Sequence, residues 1–213
     1  MILAAALMGL GLDASAQSGG VGLVNQLSGD VAYTSRGGAE SKAQALMKVR
    51  KGDRFTLSAG AQVRVVYIKG SRQETWKGPA SFEAGSQQSE AIKGQIAETA
   101  KLPPAVAQKI ALVPDLVQIA KLDRAGGIAV RGSAKPGRLS SEQKAEISQA
   151  KADYAQLRQK TSAEDITPEL YFYSVLQDYL LYAEMKAVTD EMLKRQSDNA
   201  EVKELAAYVI GRL

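Results

Sequence analysis

Residues 49–71 read VRKGDRFTLSAGAQVRVVYIKGS, and this stretch decides the fold class. Apolar and polar residues alternate in two runs, Arg54 to Leu57 and Gln62 to Ile68. Alternation with a period of two is typical of short β-strands that bury one face. Because glycine adopts positive φ angles without steric cost, the glycine pairs around the runs mark turns: Gly52-Asp53, Ala59-Gly60 and Gly70-Ser71. The stretch therefore predicts antiparallel strands joined by tight turns.

The same pattern continues on both sides of this stretch. Further candidate strands are Val21 to Val24, Gly29 to Thr34 and Ser81 to Glu83. Turn signals flank them, including Ser28-Gly29 and Gly78-Pro79, and proline favours a strand end because it cannot donate a hydrogen bond to a neighbouring strand. We predict a small antiparallel β domain over residues 17–95, the first part of an α+β protein.

This β stretch resembles a FecR domain, a bacterial periplasmic β module. The resemblance rests on Gly29-Asp30-Val31, Val49 to Thr56, Gly60 to Val65 and Gly70-Ser71. In order, they match a G-x-V start, a G-D-x-(I/L)-x-T turn and strand, a small-polar-x-V-x-L strand and a D-G-S hairpin. Lys69 departs from this pattern, since the family usually has aspartate there. The sequence also lacks the cytoplasmic anti-sigma segment and the spanning helix of the iron-uptake regulators in this family.

The chain changes character after the β domain. We predict a connector with short helices over residues 96–138, because Pro114 interrupts the apolar stretch from Val106 to Leu122. Ile128 to Gly132 is a candidate last strand. Lys135-Pro136-Gly137 combines a helix breaker with a flexible residue, which predicts a boundary between two separable modules. An N-terminal fragment that ends at this boundary is expected to fold alone.

Helical spacing begins at residue 139 and continues to residue 213. Ser140 and Gln143 form a capping box, in which the Ser140 hydroxyl accepts a hydrogen bond from the Gln143 N–H. Thr167 before Pro168 marks a second helix start, and Asp198 marks a third. We predict an α-helical domain over 139–213, with helices at about 140–160, 168–196 with a break, and 199–212.

These helices resemble a degenerate tetratricopeptide unit. The first helix is rich in aromatic residues, the second carries Ala183 and Ala187, and Ser197 to Glu201 forms a junction into the next helix. A turn glycine is missing near Leu181-Tyr182, and Asp198 stands where the family often has proline. A helical hairpin of some other family is the alternative. Stacked repeats usually need about three units, so this segment is expected to depend on its own first helix or on a partner.

The N-terminus is typical of an export signal. Ile2 to Leu12 form a short apolar run, and Ala14-Ser15-Ala16 is a small-x-small site of the kind that signal peptidase cuts. This run is too short to cross about 30 Å of hydrocarbon as a helix. We predict a secretory signal peptide over 1–16 that is cleaved after about Ala16, a mature chain without a stable membrane span, and a periplasmic location. A signal peptide usually has a Lys or Arg before its apolar run, and none is present here, so a buried N-terminal helix or strand is the alternative. A start codon placed too far downstream would explain the missing charge.

Composition excludes several classes of chemistry. The 213 residues include no cysteine and no histidine, which excludes cysteine nucleophiles, Ser-His-Asp triads, disulfides and histidine-based metal sites. Ser141 to Lys144 fits the S-x-x-K signature of penicillin-recognising enzymes, but the companion motifs are missing and the capping box accounts for the same residues. The formal net charge is only +4, with acidic and basic residues interspersed. We predict no enzyme activity, no cofactor, no metal and no nucleic-acid partner.

Two groups of residues are candidates for contact with a partner. Trp76, the only tryptophan, and Lys77 lie beside a turn, where an exposed indole could stack on a sugar or contact a protein. The second group is a row of tyrosines suited to a peptide groove: Tyr171, Tyr173, Tyr179 and Tyr182. Core packing is the interpretation that the sequence favours for both groups, with Trp76 against Phe82 or Tyr67 and the tyrosines inside a helical hairpin.

Together these features predict a non-enzymatic exported protein that acts as a protein-interaction and scaffolding module in the bacterial cell envelope. Its expected partners are envelope proteins. One alternative is a periplasmic protein that binds a ligand or a cell-wall polymer through the β domain. Another is a FecR-like signalling component, which is weakened because an exported chain without a spanning helix cannot itself contact a cytoplasmic sigma factor.

Overall fold

The structure is a computed structural model that describes residues 19–126 and 137–213. Ten strands and six helices fall within these ranges, and the strands form two antiparallel five-stranded sheets. The chain therefore has the mixed α+β class that its sequence predicts.

Each sheet is best followed in its spatial order. The first sheet runs β10 (Ile96–Lys101), β7 (Arg72–Lys77), β6 (Gln62–Tyr67), β1 (Gly22–Ser28) and β4 (Lys48–Val49). The second sheet runs β3 (Glu40–Lys42), β2 (Val31–Thr34), β5 (Arg54–Leu57), β8 (Ala80–Ala84) and β9 (Ser89–Lys93). The chain crosses between the sheets several times, so neither sheet is one continuous segment.

An aromatic core joins the two sheets. The ring centroids of Trp76 on β7 and Phe82 on β8 lie 4.6 Å apart, and those of Phe82 and Phe55 on β5 lie 5.1 Å apart. All three side chains are fully buried. Aromatic pairs at such distances stabilise a core by more than their buried area alone.

The first sheet is buried on both faces. Val24 and Val65 contact the second sheet, whereas Leu23 and Val66 belong to a core that is shared with the helices. The strands were predicted to bury one face only. The structure differs because the helices cover the other face, so that the first sheet is the middle layer of three.

The helical half contains α1 (Pro104–Ile110), α2 (Val113–Arg124), α3 (Ser141–Lys160), α4 (Thr167–Asp178), α5 (Tyr182–Arg195) and α6 (Ala200–Ile210). The central helix is α4, whose residues from Thr167 to Leu176 are all buried. α1, α3 and α5 pack against α4, and α2 and α5 pack against α6. A helix that is enclosed on all sides has few exposed positions for charged residues.

One buried carboxylate links three of these helices. Glu169 of α4 is fully buried, and its two oxygens lie 3.0 Å from Arg158 Nη1 of α3 and 3.1 Å from Arg195 Nε of α5. The Tyr154 hydroxyl also donates to Glu169, at 3.4 Å. Buried charges are tolerated when they are paired in this way.

Two helix starts can be compared directly with the sequence. The Ser140 capping box is present, with the Ser140 hydroxyl accepting from the Gln143 N–H at 3.1 Å and the Gln143 side chain accepting from the Ser140 N–H at 2.9 Å. α4 begins one residue earlier than predicted, because Ile166 is the N-cap and Pro168 is the second helical residue. The expected break in the long second helix lies between α4 and α5.

The α5–α6 hairpin differs from expectation in its details. Asn199 caps α6 in place of Asp198, because its Oδ1 accepts hydrogen bonds from two N–H groups in the first turn. Ala183 and Ala187, which carry part of the tetratricopeptide resemblance, are exposed on α5.

The β domain extends further along the chain than predicted. β10 lies beyond residue 95 and pairs with β7, so the first sheet ends at Lys101 and the predicted connector begins with a strand. β3, β4, β7 and β9 were also missed. β7 and β10 are rich in polar residues, and this composition hides the apolar alternation on which the prediction of strands depends.

Packing argues against a division into two separable modules at residues 135–137. α1 and α2 precede this point, yet α1 packs against α4 and α2 packs against α6. Lys121 Nζ of α2 lies 3.1 Å from Glu201 Oε1 of α6, and Arg212 Nη2 lies 3.0 Å from Asp123 Oδ1. A fragment that ended there would expose the apolar faces of α1 and α2.

Several sequence predictions lie outside the described residues. They are the signal peptide over 1–16 with its cleavage site, the strand at 128–132, and Lys135-Pro136 of the boundary. In the two described ranges, every helix is too short or too polar to span a bilayer.

Candidate functional site

The junction between the first sheet and α4 contains an irregular strand. The register of β1 against β6 shifts at Asn25, which forms a β-bulge. Bulges redirect a side chain. Here the Asn25 amide contacts the helical half, donating to Asp165 Oδ1 at 3.2 Å and to the Thr167 hydroxyl.

Asp165 is the centre of a buried polar cluster. Its Oδ1 accepts from the Thr167 N–H at 2.8 Å, and its Oδ2 accepts from Gln73 Nε2 at 2.8 Å and lies 3.5 Å from Arg64 Nη1. Asn25, Arg64 and Gln73 belong to three adjacent strands of the first sheet. We call these five buried residues the junction cluster, because they connect the sheet to the start of α4.

Two opposing effects set the charge of Asp165. Burial by itself raises the pKa of a carboxyl group, but hydrogen bonds from Gln73 and Thr167 and the positive charge of Arg64 outweigh it. The pKa of Asp165 therefore lies below its ordinary value. The carboxylate also sits at the N-terminal end of α4, where the helix dipole favours a negative charge. Asp165 is consequently an anion at neutral pH.

A crevice of about 470 Å³ lies beside the junction cluster. We call it the Arg64 crevice; its polar lining includes Arg64, Thr75, Thr99, Lys101, Lys160 and Ser162. Only 7% of the Arg64 side chain is exposed, whereas Lys101 and Lys160 are exposed residues. The crevice thus has one cation in its wall and two lysines at its surface.

A larger crevice, of about 710 Å³, lies between the β1–β2 turn and the α5–α6 loop. Side chains of both charges line it, among them Lys42, Arg195, Glu164 and Asp198. The Oε1 atom of Gln26 is buried there without a hydrogen-bond partner among the described residues. Its mixed charges favour neither an anion nor a cation.

Trp76 and Lys77, the first pair of candidate interaction residues, have opposite environments. Trp76 has no exposed surface; it stacks on Phe82, and its indole N–H donates to Ser89 Oγ at 3.3 Å. Core packing against Phe82, the interpretation that the sequence favours, is therefore what the structure has, and the indole is not available to a partner. Lys77 is exposed and lies 3.8 Å from Glu98. Adjacent strand residues point to opposite faces, so Trp76 lies between the sheets, whereas Lys77 is the last residue of β7 and lies on the other face.

Two of the candidate tyrosines face α3. The Tyr171 hydroxyl donates to Asp153 Oδ2 at 3.3 Å, and the Tyr179 hydroxyl donates to Glu146 Oε2 at 2.5 Å. Burial, reinforced by Asp153, raises the pKa of Tyr171 to about 12. The hydrogen bond to Glu146 raises the pKa of Tyr179 to about 12 as well. The two hydroxyl groups therefore connect α4 and the residue that follows it to α3 through hydrogen bonds.

The other two tyrosines lie elsewhere, so the four do not form one row. Tyr173 is fully buried, its hydroxyl has no hydrogen-bond partner among the described residues, and burial raises its pKa. Tyr182 is partly buried at the start of α5. Residues two apart on a helix point in nearly opposite directions, which separates Tyr171 from Tyr173. A helix-hairpin core describes them better than a peptide groove.

An apolar surface was not anticipated from the sequence. Six large hydrophobic side chains are exposed among the described residues, and five of them lie on or directly beside α2 and α6: Leu112, Ile119, Leu122, Ile210 and Leu213. Leu122 and Leu213 are the chain neighbours of Asp123 and Arg212, which form an ion pair. We call these five residues the α2–α6 apolar patch.

The junction cluster was missed because its members look ordinary in the sequence. Asn25, Arg64 and Gln73 occupy strand positions where polar residues usually face solvent. The available signal was Asp165 two residues before Thr167, the predicted N-cap, a position at which an acidic residue can interact with N–H groups of the helix. Nothing in the local pattern pairs that aspartate with the sheet.

No family model, no curated protein and no solved structure matches the chain. Among residues 19–126 and 137–213, no three acidic side chains are arranged as metal ligands.

Proposed function

We propose that this chain is a non-enzymatic exported bacterial protein that acts as a protein-interaction and scaffolding module in the cell envelope. The α2–α6 apolar patch is the observation that carries the interaction role. Export rests on the sequence of residues 1–16, with its apolar run and small-x-small site.

The patch has the properties of an interface centre. Leu122 is 60% exposed and Leu213 is 67% exposed, although apolar residues of this size are usually buried. Leu112, Ile119 and Leu122 are spaced by seven and three residues, which places them on one side of α2. Clustered exposed apolar side chains are typical of protein-binding surfaces.

Several charges around the patch are already paired within the chain. Lys121 contacts Glu201, Arg124 contacts Glu204 at 2.8 Å, and Arg212 contacts Asp123. A partner therefore gains little from charged groups at this surface, and burial of apolar area has to supply most of the binding free energy. We infer an envelope protein that presents a mainly apolar surface, such as the apolar side of an amphipathic helix.

A rigid body suits the scaffolding part of the proposal. The junction cluster and the shared core keep the helices in a defined position on the first sheet. A partner bound at α2 and α6 would therefore be held in a fixed orientation relative to the sheets.

Site-specific photo-crosslinking tests the proposed interaction. A photoreactive amino acid is placed at Leu122, or at Gln156, which is exposed on the outer side of α3, and the full chain is expressed in its native host. We expect a reproducible adduct with one envelope protein from position 122 only, and its loss when Ile119→Glu is added. The thermal unfolding temperature of Ile119→Glu should equal that of the parent, because Ile119 is 48% exposed.

Two outcomes would contradict the proposal. Equal adducts from positions 122 and 156 would show non-specific contact, and an adduct between two copies of the chain would make the patch a self-association surface. Export is tested separately, by mass spectrometry of the N-terminus in the periplasmic fraction. A mature chain that began at residue 1, or was found only in the cytoplasm, would remove the envelope from the proposal.

A further inference from the structure

We propose that the Arg64 crevice binds a small anion that carries phosphate or carboxylate groups. This inference does not depend on the proposed function, because the crevice lies at the sheet–helix junction and shares no residue with the α2–α6 apolar patch. It rests on the charge balance of the crevice, on the bonding of Arg64 and on the size of the space.

The charge balance of the crevice is positive. Lys101 and Lys160 both line it, both are exposed, and neither forms an ion pair with a described residue. The two carboxylates in the lining are already engaged. Asp165 accepts hydrogen bonds within the junction cluster, and Glu98 lies 3.8 Å from Lys77. Two lysine charges therefore remain for a bound anion.

Arg64 adds an incompletely bonded guanidinium in the wall of the crevice. Its Nε donates to Thr75 Oγ1 at 3.1 Å, but its buried Nη1 has no hydrogen-bond acceptor among the described residues, although Asp165 Oδ2 lies 3.5 Å away. Buried donors without acceptors are uncommon in folded proteins. An oxygen of a bound anion could supply this acceptor after a small rotation of the guanidinium, with a geometry that arginine commonly uses for carboxylates and phosphates.

The size and the remaining lining are compatible with a small molecule. A volume of about 470 Å³ lies within the range of small-ligand pockets, about 300–1,000 Å³. Thr99 and Ser162 provide hydroxyl groups that can donate to further ligand oxygens. Phosphate and carboxylate oxygens both accept hydrogen bonds from such donors. The structure therefore indicates an anionic oxygen ligand, and the experiment below distinguishes phosphate from carboxylate.

Isothermal titration calorimetry with two probes tests the inference. The full chain is titrated with pyrophosphate and, separately, with citrate at low ionic strength. The same titrations are made with the double variant Lys101→Gln/Lys160→Gln and with Lys151→Gln/Lys203→Gln, which removes two exposed lysines outside the crevice. We expect saturable binding of at least one probe, weakened about tenfold by the crevice variant and unchanged in the control. Tighter binding of pyrophosphate would identify a phosphate ligand, and tighter binding of citrate would identify a carboxylate ligand.

Either of two results would overturn the inference. The first is the absence of saturable binding of both probes. The second is equal weakening by the two double variants, which would show that the overall positive charge attracts anions without a site. Backbone amide shifts in nuclear magnetic resonance spectra locate the contact independently, and we expect them at residues 99–102 and 160–162. All four substituted lysines are exposed, so each variant is expected to fold, and circular dichroism verifies this.

Discussion

Replacement of Asp165 by alanine should destabilise the sheets and the helices together. The substitution removes the acceptor of hydrogen bonds from Asn25, Gln73 and the Thr167 N–H, and it leaves the Arg64 guanidinium buried without its counter-charge. Removing one partner of a buried ion pair typically costs about 3–5 kcal/mol. For a chain of this length, such a loss lowers the thermal unfolding temperature by about 6–20 °C.

Urea unfolding with two spectroscopic probes is the appropriate assay. Fluorescence of Trp76 reports on the core between the sheets, and far-ultraviolet circular dichroism reports mainly on the helices. In the parent chain we expect the two transitions to coincide. In Asp165→Ala both midpoints should move to lower urea concentration by the same amount, because the junction cluster and the shared core couple the layers.

Asp178→Ala is the matched control. Asp178 ends α4 and contacts Lys109 Nζ at 2.5 Å, with 40% of its side chain exposed. Exposed ion pairs contribute about 0–1 kcal/mol, so this variant should unfold almost like the parent. If Asp165→Ala shifted the circular dichroism transition and left the fluorescence transition in place, the two halves would unfold independently and the reasoning would fail.

Three further predictions follow from the buried and titrating groups. Glu169→Ala should lower the free energy of unfolding by about 3–5 kcal/mol, since it removes the buried carboxylate that pairs with Arg158 and leaves Arg195 only the more distant Glu191, at 3.8 Å. Glu83→Ala in the exposed Arg54 pair should change it by under about 1 kcal/mol, and urea titration of both variants compares them. The parent chain should have a larger free energy of unfolding than Asp165→Asn above about pH 4, and this difference should shrink as the pH falls further. Folding lowers the pKa of Asp165, so the unfolded state takes up the proton first. A difference that stayed constant from neutral to acid pH would contradict this. The free energy of unfolding should fall as the pH rises above about 10, because folding raises the pKa of Tyr171 and of Tyr179 to about 12 and the unfolded chain ionises first. Near pH 11, phenolate absorbance should show fewer ionised tyrosines in the native chain than in the urea-unfolded chain. Identical titrations of the two states would exclude the raised pKa values.

Local patterns in the sequence account for about half of the strands and for all the helices of the C-terminal half. Arg54 to Leu57 is a strand with the predicted bounds, because its apolar and polar residues alternate without interruption. β7 was missed for the opposite reason. Its residues Gln73 and Thr75 are polar and yet buried, a situation that arises only once the helices cover them.

The candidate site depended on contacts that no local pattern reveals. Asn25 and Asp165 are 140 residues apart, and neither has a neighbour in sequence that indicates the other. Core packing of Trp76 was the favoured interpretation, and the alternative of an exposed indole came from its neighbours. Its neighbours Thr75 and Lys77 are polar, which suggested an exposed position, although alternation along the strand directs the indole into the core between the sheets.

The long separation between Asn25 and Asp165 also bears on how the chain acquires its structure over time. Contacts between distant residues require the closure of a long loop, which slows folding. β1 is synthesised well before the residues that bond to it from the start of α4, because the Asn25 amide donates to Asp165 and Thr167, 140 and 142 residues later. Until α4 has been made, the α4 residues that share a core with Leu23 and Val66 are absent. An incomplete chain therefore exposes more of this apolar sheet surface to other molecules. Any truncation before residue 165 should therefore favour aggregation over the release of a smaller stable protein.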